Sequence, residues 1–139
     1  MIIRAFAIAC IALAAAPLAV ADPAQPRRET ITPVMREAIP NIPGKTLSSI
    51  VVSYAPGAKS LSHRHGASTF IYAYVLSGAI RSQVNDGPVK VYKAGQYWVE
   101  PPGAHHQMSE NASATEPAKL LVVILADTDE PALITPDKP

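Results

Sequence analysis

An all-β fold, a barrel or a sandwich, is what this sequence predicts. At least six short apolar segments recur at roughly 8–12-residue spacing, and Gly- and Pro-containing turn signals separate them. No long stretch carries a helical period. With 139 residues, 48% of them hydrophobic and 17% charged, the chain has room for one domain around one core.

Residues 1–21 read as a secretory signal peptide: Arg4 precedes an uncharged apolar stretch, and Ala19-Val20-Ala21 is a small-x-small ending before Asp22. The run from Ala5 to Leu18 is interrupted by Pro17 and is short for a bilayer span, so a membrane anchor is not expected after signal removal. A periplasmic or secreted location follows. The only cysteine, Cys10, lies inside the signal, which leaves the mature chain no disulfide. Losing Arg4 takes the 12 Lys+Arg to 11 against 11 Asp+Glu, a balance that gives no support to a nucleic-acid partner.

Residues 22–32 are proline-rich and polar and read as a disordered leader, residues 33–126 as the folded domain, and residues 127–139 as a tail with at most a short ordered piece at Ala132 to Thr135. "VMREAI" fits either a short helical piece after Pro33 or a first edge strand. "TLSSIVVSY", bounded by Pro43-Gly44 and Pro56-Gly57, is a strand, and so is "FIYAYVLSG", which stops at Gly78. "AIRSQV" runs into the turn signal Asn85-Asp86-Gly87-Pro88. Two short strands follow, Val89 to Lys93 and Tyr97 to Glu100, each closed by a glycine turn. "AKLLVVILAD" is a continuous apolar run and reads as a central buried strand.

Chemistry concentrates in two places. "SLSHRHG" carries His63 and His65, and "EPPGAHHQMSEN" carries His105 and His106; these are the chain's only 4 histidines. On a strand, alternate side chains share a face, so His63 and His65 point together, with Cα atoms roughly 6.5 Å apart, and Arg64 turns away. A third imidazole from the second stretch would complete a site for zinc, iron, copper or nickel with coordination positions left open. Such histidines are also common as plain polar residues at strand ends. No phosphate loop, CxxC pair or Ser/His/Asp signature appears.

"GAKSLSHRH…VLSG" resembles the first motif of the cupin superfamily and "GQYWVEPPGAHHQMSEN" resembles the second, as in small single-domain bacterial cupins. Gly57, His63, His65 and Gly78 match the first; Gly95, Pro101, Gly103 and His106 match the second. The resemblance spans about Lys45 to Ala126 and implies a double-stranded β-helix or jelly-roll barrel. It implies a divalent transition metal on His63, His65 and His106, with His105 a rim or solvent group. It also implies, together with the run "LLVVILA", a homodimer.

Two departures accompany the match. No carboxylate lies between His65 and Gly78, where the motif has its glutamate ligand; the vacant place falls at Ile71 counting back from Gly78, or at Thr69 or Phe70 counting forward. That pattern looks like the three-histidine thiol and diketone dioxygenases of the superfamily. The motif's asparagine falls on Glu110, with Asn111 one beyond, and Glu110 is not expected to ligate.

Glu100 is the catalytic candidate. Standing before Pro101-Pro102, it either enters the barrel, as fourth ligand or as base beside a metal-bound water, or is an exposed turn residue. Phe70, Tyr72, Tyr74, Tyr97 and Trp98 read as core or wall, one or two of them lining a ligand pocket; Gln83 and Gln96 are expected exposed. Asn111-Ala112-Ser113 is a bare glycosylation sequon. The expected partner is a small organic molecule, met by an iron dioxygenase, by a Zn, Mn or Ni isomerase or lyase, or by a protein that binds without turnover.

Overall fold

The computed structural model describes residues 29–138. The expected signal peptide lies outside the described residues. Among those described, no helix is long and apolar enough to cross a membrane.

The described residues are all β: β1 (Thr30–Ala38), β2 (Lys45–Tyr54), β3 (His63–His65), β4 (Phe70–Ser77), β5 (Ala79–Val84), β6 (Lys90–Lys93), β7 (Tyr97–Glu100), β8 (His105–Asn111), β9 (Ala118–Asp127) and β10 (Ile134–Pro136). They form two five-stranded sheets, ordered β1-β2-β9-β4-β7 and β10-β3-β8-β5-β6, and every paired neighbour is antiparallel. The chain passes back and forth between the sheets, which gives the jelly-roll barrel expected.

Alternation fixes what each strand buries. In β4, Ile71, Ala73 and Val75 point inward, each almost inaccessible, while their neighbours face out. They meet Val52 and Tyr54 of β2, Leu120 and Ile124 of β9, Trp98 of β7 and Ile80 of β5 in one core cluster. The apolar run expected to be central is β9, in the middle of the first sheet between β2 and β4.

The β4–β5 corner depends on Gly78. Its φ is +70°, and a Cβ there would stand 2.6 Å from the Pro117 carbonyl oxygen, so a side chain is excluded by both conformation and space.

The strands extend beyond the domain limits read from sequence. All but the last residue of "VMREAI" lies in β1, the edge-strand alternative, and that strand begins at Thr30, inside the stretch read as a leader. Backbone pairing to β2 holds it, not burial, because all nine of its residues are exposed. The stretch read as a tail contains β10, which pairs with β3: Ile134 lies opposite His65 and Pro136 opposite His63. Ser62 Oγ donates to Asp137 at 2.5 Å, and His105 Nε2 lies 2.7 Å from the same carboxylate.

Candidate metal centre

β3 and β8 run side by side, with His63 directly opposite His106 and Arg64 opposite His105. Opposed residues of an antiparallel pair share a face, so this register turns His63, His65 and His106 into the barrel and His105 out of it. One ligand-capable atom of each inward histidine lies within 4.8 Å of those of the other two. The ring centroids of His63 and His65 are 4.9 Å apart, and those of His63 and His106 are 5.2 Å apart.

Backbone carbonyls orient two of the rings. His63 Nδ1 donates to the Leu61 carbonyl at 2.8 Å and His65 Nδ1 to the Leu133 carbonyl at 3.3 Å. A carbonyl only accepts, so both rings donate from Nδ1, which leaves Nε2 as the atom turned to a cation. His106 holds Ser82 Oγ through Nε2 at 2.9 Å and turns Nδ1 toward Glu100.

Glu100 enters the barrel and is 1% exposed. Its partner across the β4–β7 pair is Ile71, the place reached by counting back from Gly78 to the glutamate missing from the first motif. The carboxylate is thus supplied from the neighbouring strand on the same face. Trp98, two residues earlier and therefore also inward, donates its indole N–H to Glu100 Oε1 at 3.0 Å. Oε1 also lies 3.2 Å from His106 Nδ1, and Oε2 lies 2.9 Å from His65 Nε2.

That last contact is close but not aligned as a hydrogen bond, leaving His65 Nε2 and Glu100 Oε2 buried without a partner. Two orphaned acceptors facing one another are costly unless something positive satisfies both. A proton shared between them does so, and so does a divalent cation, for which imidazole and carboxylate are suitable ligands. The residues present therefore fit one.

The electrostatics agree. Burial lowers the His106 pKa to about 4; Glu100 opposes the shift, and His63 and His65 add to it. Burial likewise lowers His63, against the pull of the Leu61 carbonyl. These rings are neutral, the form that ligates. Burial pushes Glu100 up, but its contact with His65, the imidazoles of His106 and His65, and the Trp98 N–H outweigh that and hold it below the usual carboxylate range.

The group opens into a cavity of about 280 Å³ lined by Ile50, Val52, Leu120, Val122 and Ile124, among others, with Tyr54, Ser60 and Ser109 as its hydroxyl groups. None of the aromatics Phe70, Tyr72, Tyr74, Tyr97 and Trp98 lines it; the aromatic wall residue is Tyr54. Alternation explains this: Tyr72, Tyr74 and Tyr97 fall on the outer phase of their strands, whereas Trp98 is inward but spent on Glu100. Gln83 and Gln96 are absent from the cavity and bond within their turns, to the Gly87 carbonyl and the Lys93 amide. Glu110 faces outward and pairs with Arg81. Asn111, one beyond the motif position, is buried and donates to the carbonyls of Ala55 and Glu116, so it is a structural clamp here and offers no free amide to a glycan.

Sequence reasoning missed Ser82, Tyr54, the indole of Trp98 as a support for Glu100, and the Leu133 carbonyl. Only the Trp98–Glu100 spacing carried a local signal, since residues two apart share a strand face.

Fold and site define an all-β barrel with three inward histidines fit to hold a divalent cation. The chain matches the family model described as "Cupin domain" over residues 50–124, more than half of its length, and it belongs to that family. It is similar in fold to an uncharacterized conserved protein with a double-stranded β-helix domain from Klebsiella pneumoniae (TM-score 0.61, 21% identity, covering 81% of this chain and 86% of that one). It is similar also to TT1209 from Thermus thermophilus (TM-score 0.58, 27% identity, covering 74% and 87%). A third likeness is to oxalate oxidase in complex with glycolate (TM-score 0.56, 23% identity, covering 72% and 52%), of which this chain spans about half the length. No curated protein matches.

Proposed function

We propose that this protein is an exported enzyme that acts on a small organic molecule at a transition-metal centre held by His63, His65 and His106, with Glu100 as fourth donor or as base. The observation that carries the reading is the convergence of three inward imidazoles, their ligand-capable atoms within 4.8 Å of one another, beside the buried Glu100 carboxylate at an apolar cavity. Fe, Mn, Zn, Ni and Cu all suit nitrogen-rich sites of this kind. Such an ion, when bound, supplies Lewis acidity or, as iron, oxygen chemistry.

The chain's own contribution is clear in outline. Carbonyl contacts fix the imidazoles of His63 and His65, apolar walls exclude water, and Trp98 holds Oε1 so that Oε2 is the carboxylate oxygen left to ligate or to take a substrate proton. An acid/base group inside the barrel favours catalysis over simple ligand capture. Among reactions, a dioxygenase is our first choice, on resemblance to three-histidine dioxygenases; isomerase or lyase chemistry is the alternative. The test is to load the metal-stripped protein with each ion in turn and screen small carbonyl and enol compounds for oxygen uptake or isomerisation. Turnover that Glu100→Gln lowers at least tenfold supports the enzyme reading; binding with no turnover on any ion makes this a binding protein.

Export rests on the N-terminal pattern of Arg4, an apolar stretch and Ala19-Val20-Ala21. A mature N-terminus at Asp22 in the exported fraction is the expected result. We also propose a homodimer, supported by the outer face of the first sheet, where Tyr72, Tyr74, Tyr97, Val99, Leu121 and Val123 lie in register. That face is uncharged at its centre, so a second copy meets it without repulsion.

A further inference from the structure

Tyr54, Ser60 and Ser109 form a second polar group in the cavity, apart from the histidines. Tyr54 Oη lies 2.8 Å from Ser60 Oγ and 2.9 Å from Ser109 Oγ. Three hydroxyls bring three protons, and these two contacts use two of them, so one donor remains, together with unused lone pairs. Tyr54 and Ser109 are both buried, where bulk water is a poor substitute for a partner. All three residues line the cavity.

The rest of the lining narrows what such a group would hold. Among the described residues its charged members are Glu29 and Glu100, both acidic, and no lysine or arginine of those residues lines it. A dicarboxylate would therefore face negative charge with only the metal to offset it, and the aliphatic walls would desolvate its second charge without compensation. A neutral molecule fits both features.

The spacing gives the length. Ser109 stands three residues after His106 on β8, and both point inward because a bulge interrupts the pairing with β5. Three residues of strand put their Cα atoms about 10 Å apart. The cavity of about 280 Å³ lies at the small end of the range for organic-ligand pockets.

We infer that the Tyr54–Ser60–Ser109 hydroxyl group is a ligand-anchoring subsite, and that the substrate is a small, neutral, largely apolar molecule with one oxygen for the metal centre and a second, carbonyl or hydroxyl, for Tyr54. This rests on the metal-centre reading above for the first oxygen only. Tyr54 is a positioning residue here, not a catalytic one.

Three probes of matched length test it: hexane-2,5-dione, hexan-2-one and adipate, titrated into the metal-loaded protein and followed by ligand-detected NMR. The dione is expected to bind about tenfold more tightly than the monoketone, the worth of one added neutral hydrogen bond, and adipate more weakly than the dione. Tyr54→Phe, which keeps the ring in the core, is expected to erase the dione's advantage while leaving hexan-2-one affinity and metal content unchanged. Ser60→Ala, at a less buried position, is expected to reduce the advantage and serves if Tyr54→Phe folds poorly. A dione-to-monoketone ratio that both variants leave unchanged, adipate binding tighter than the dione, or no detectable dione binding overturns the proposal. Metal content of the same samples is read separately: wild-type protein that takes up no metal ends the metal-centre reading, while the ratio of the two ketones still decides this one.

Discussion

Glu100 carries the most chemistry of any single residue in this barrel, and its place shows how a sequence motif and a structure can differ without conflict. The motif asks for a carboxylate on β4; the chain puts isoleucine there and a glutamate directly across the strand pair, at Ile71↔Glu100. Replacing Glu100 by Gln keeps the shape and removes the charge, and metal affinity is expected to fall on the order of 10- to 100-fold in a competition titration. Trp98→Phe removes the N–H that holds Oε1 and also shrinks a buried ring that packs against Tyr92. A smaller loss, about tenfold, with an unchanged fold is the expected result.

Acidity gives a third test at this scale. Burial holds His106 at about 4 instead of 6.5, so between those values the unfolded chain binds the proton and the folded chain does not. Stability of the metal-free protein therefore falls as pH drops through that window, by up to about 3 kcal/mol from this residue, and is untouched by it above the window. Glu100, held below its ordinary value, adds loss in the same direction at lower pH. Urea midpoints that stay flat from pH 7 to 4.5 would contradict this assignment.

At the level of elements, the histidine strand β3 is only three residues long and depends on its neighbours. β8 fixes its register on one side, β10 on the other, and the Leu133 carbonyl just before β10 orients His65. Removing residues 131–139 is thus expected to weaken metal binding although no ligand is deleted, measurable in the same competition titration. Gly78→Ala should cost on the order of 2 kcal/mol, because a side chain there meets both a left-handed backbone and the Pro117 carbonyl.

What could be read in advance divides along the same line. Strands with strong alternation and glycine turns, such as β4 and β9, are plain in the sequence; spacing of two pairs His63 with His65, whereas the choice of His106 over His105 rests on the resemblance to the cupin motif. For β10 the sequence allows at most a short ordered piece at Ala132 to Thr135, because "ITP" stands amid acids and prolines and its partner strand lies some seventy residues away. Tyr54 was hidden for the same reason: its hydroxyl partner Ser109 is distant in sequence, and only the closed barrel brings the two together.

For the whole molecule, the two sheets divide the work. One brings the histidines on β3 and β8; the other brings Glu100 and most of the apolar wall. The same first sheet turns an aromatic face outward, where Tyr97 is 58% exposed. If that face is where a second copy sits, Tyr97→Glu converts a dimer to a monomer in sedimentation velocity without disturbing the metal site; a wild-type monomer at micromolar concentration would contradict the pairing.

The metal is the hinge of the account. Elemental analysis of protein purified from its native compartment, beside the same measurement on His63→Ala, reads it directly. About one equivalent of a divalent transition metal per chain, lost in the variant, is the predicted result. Folded wild-type protein that contains no metal and takes none up from a stoichiometric supply would contradict it.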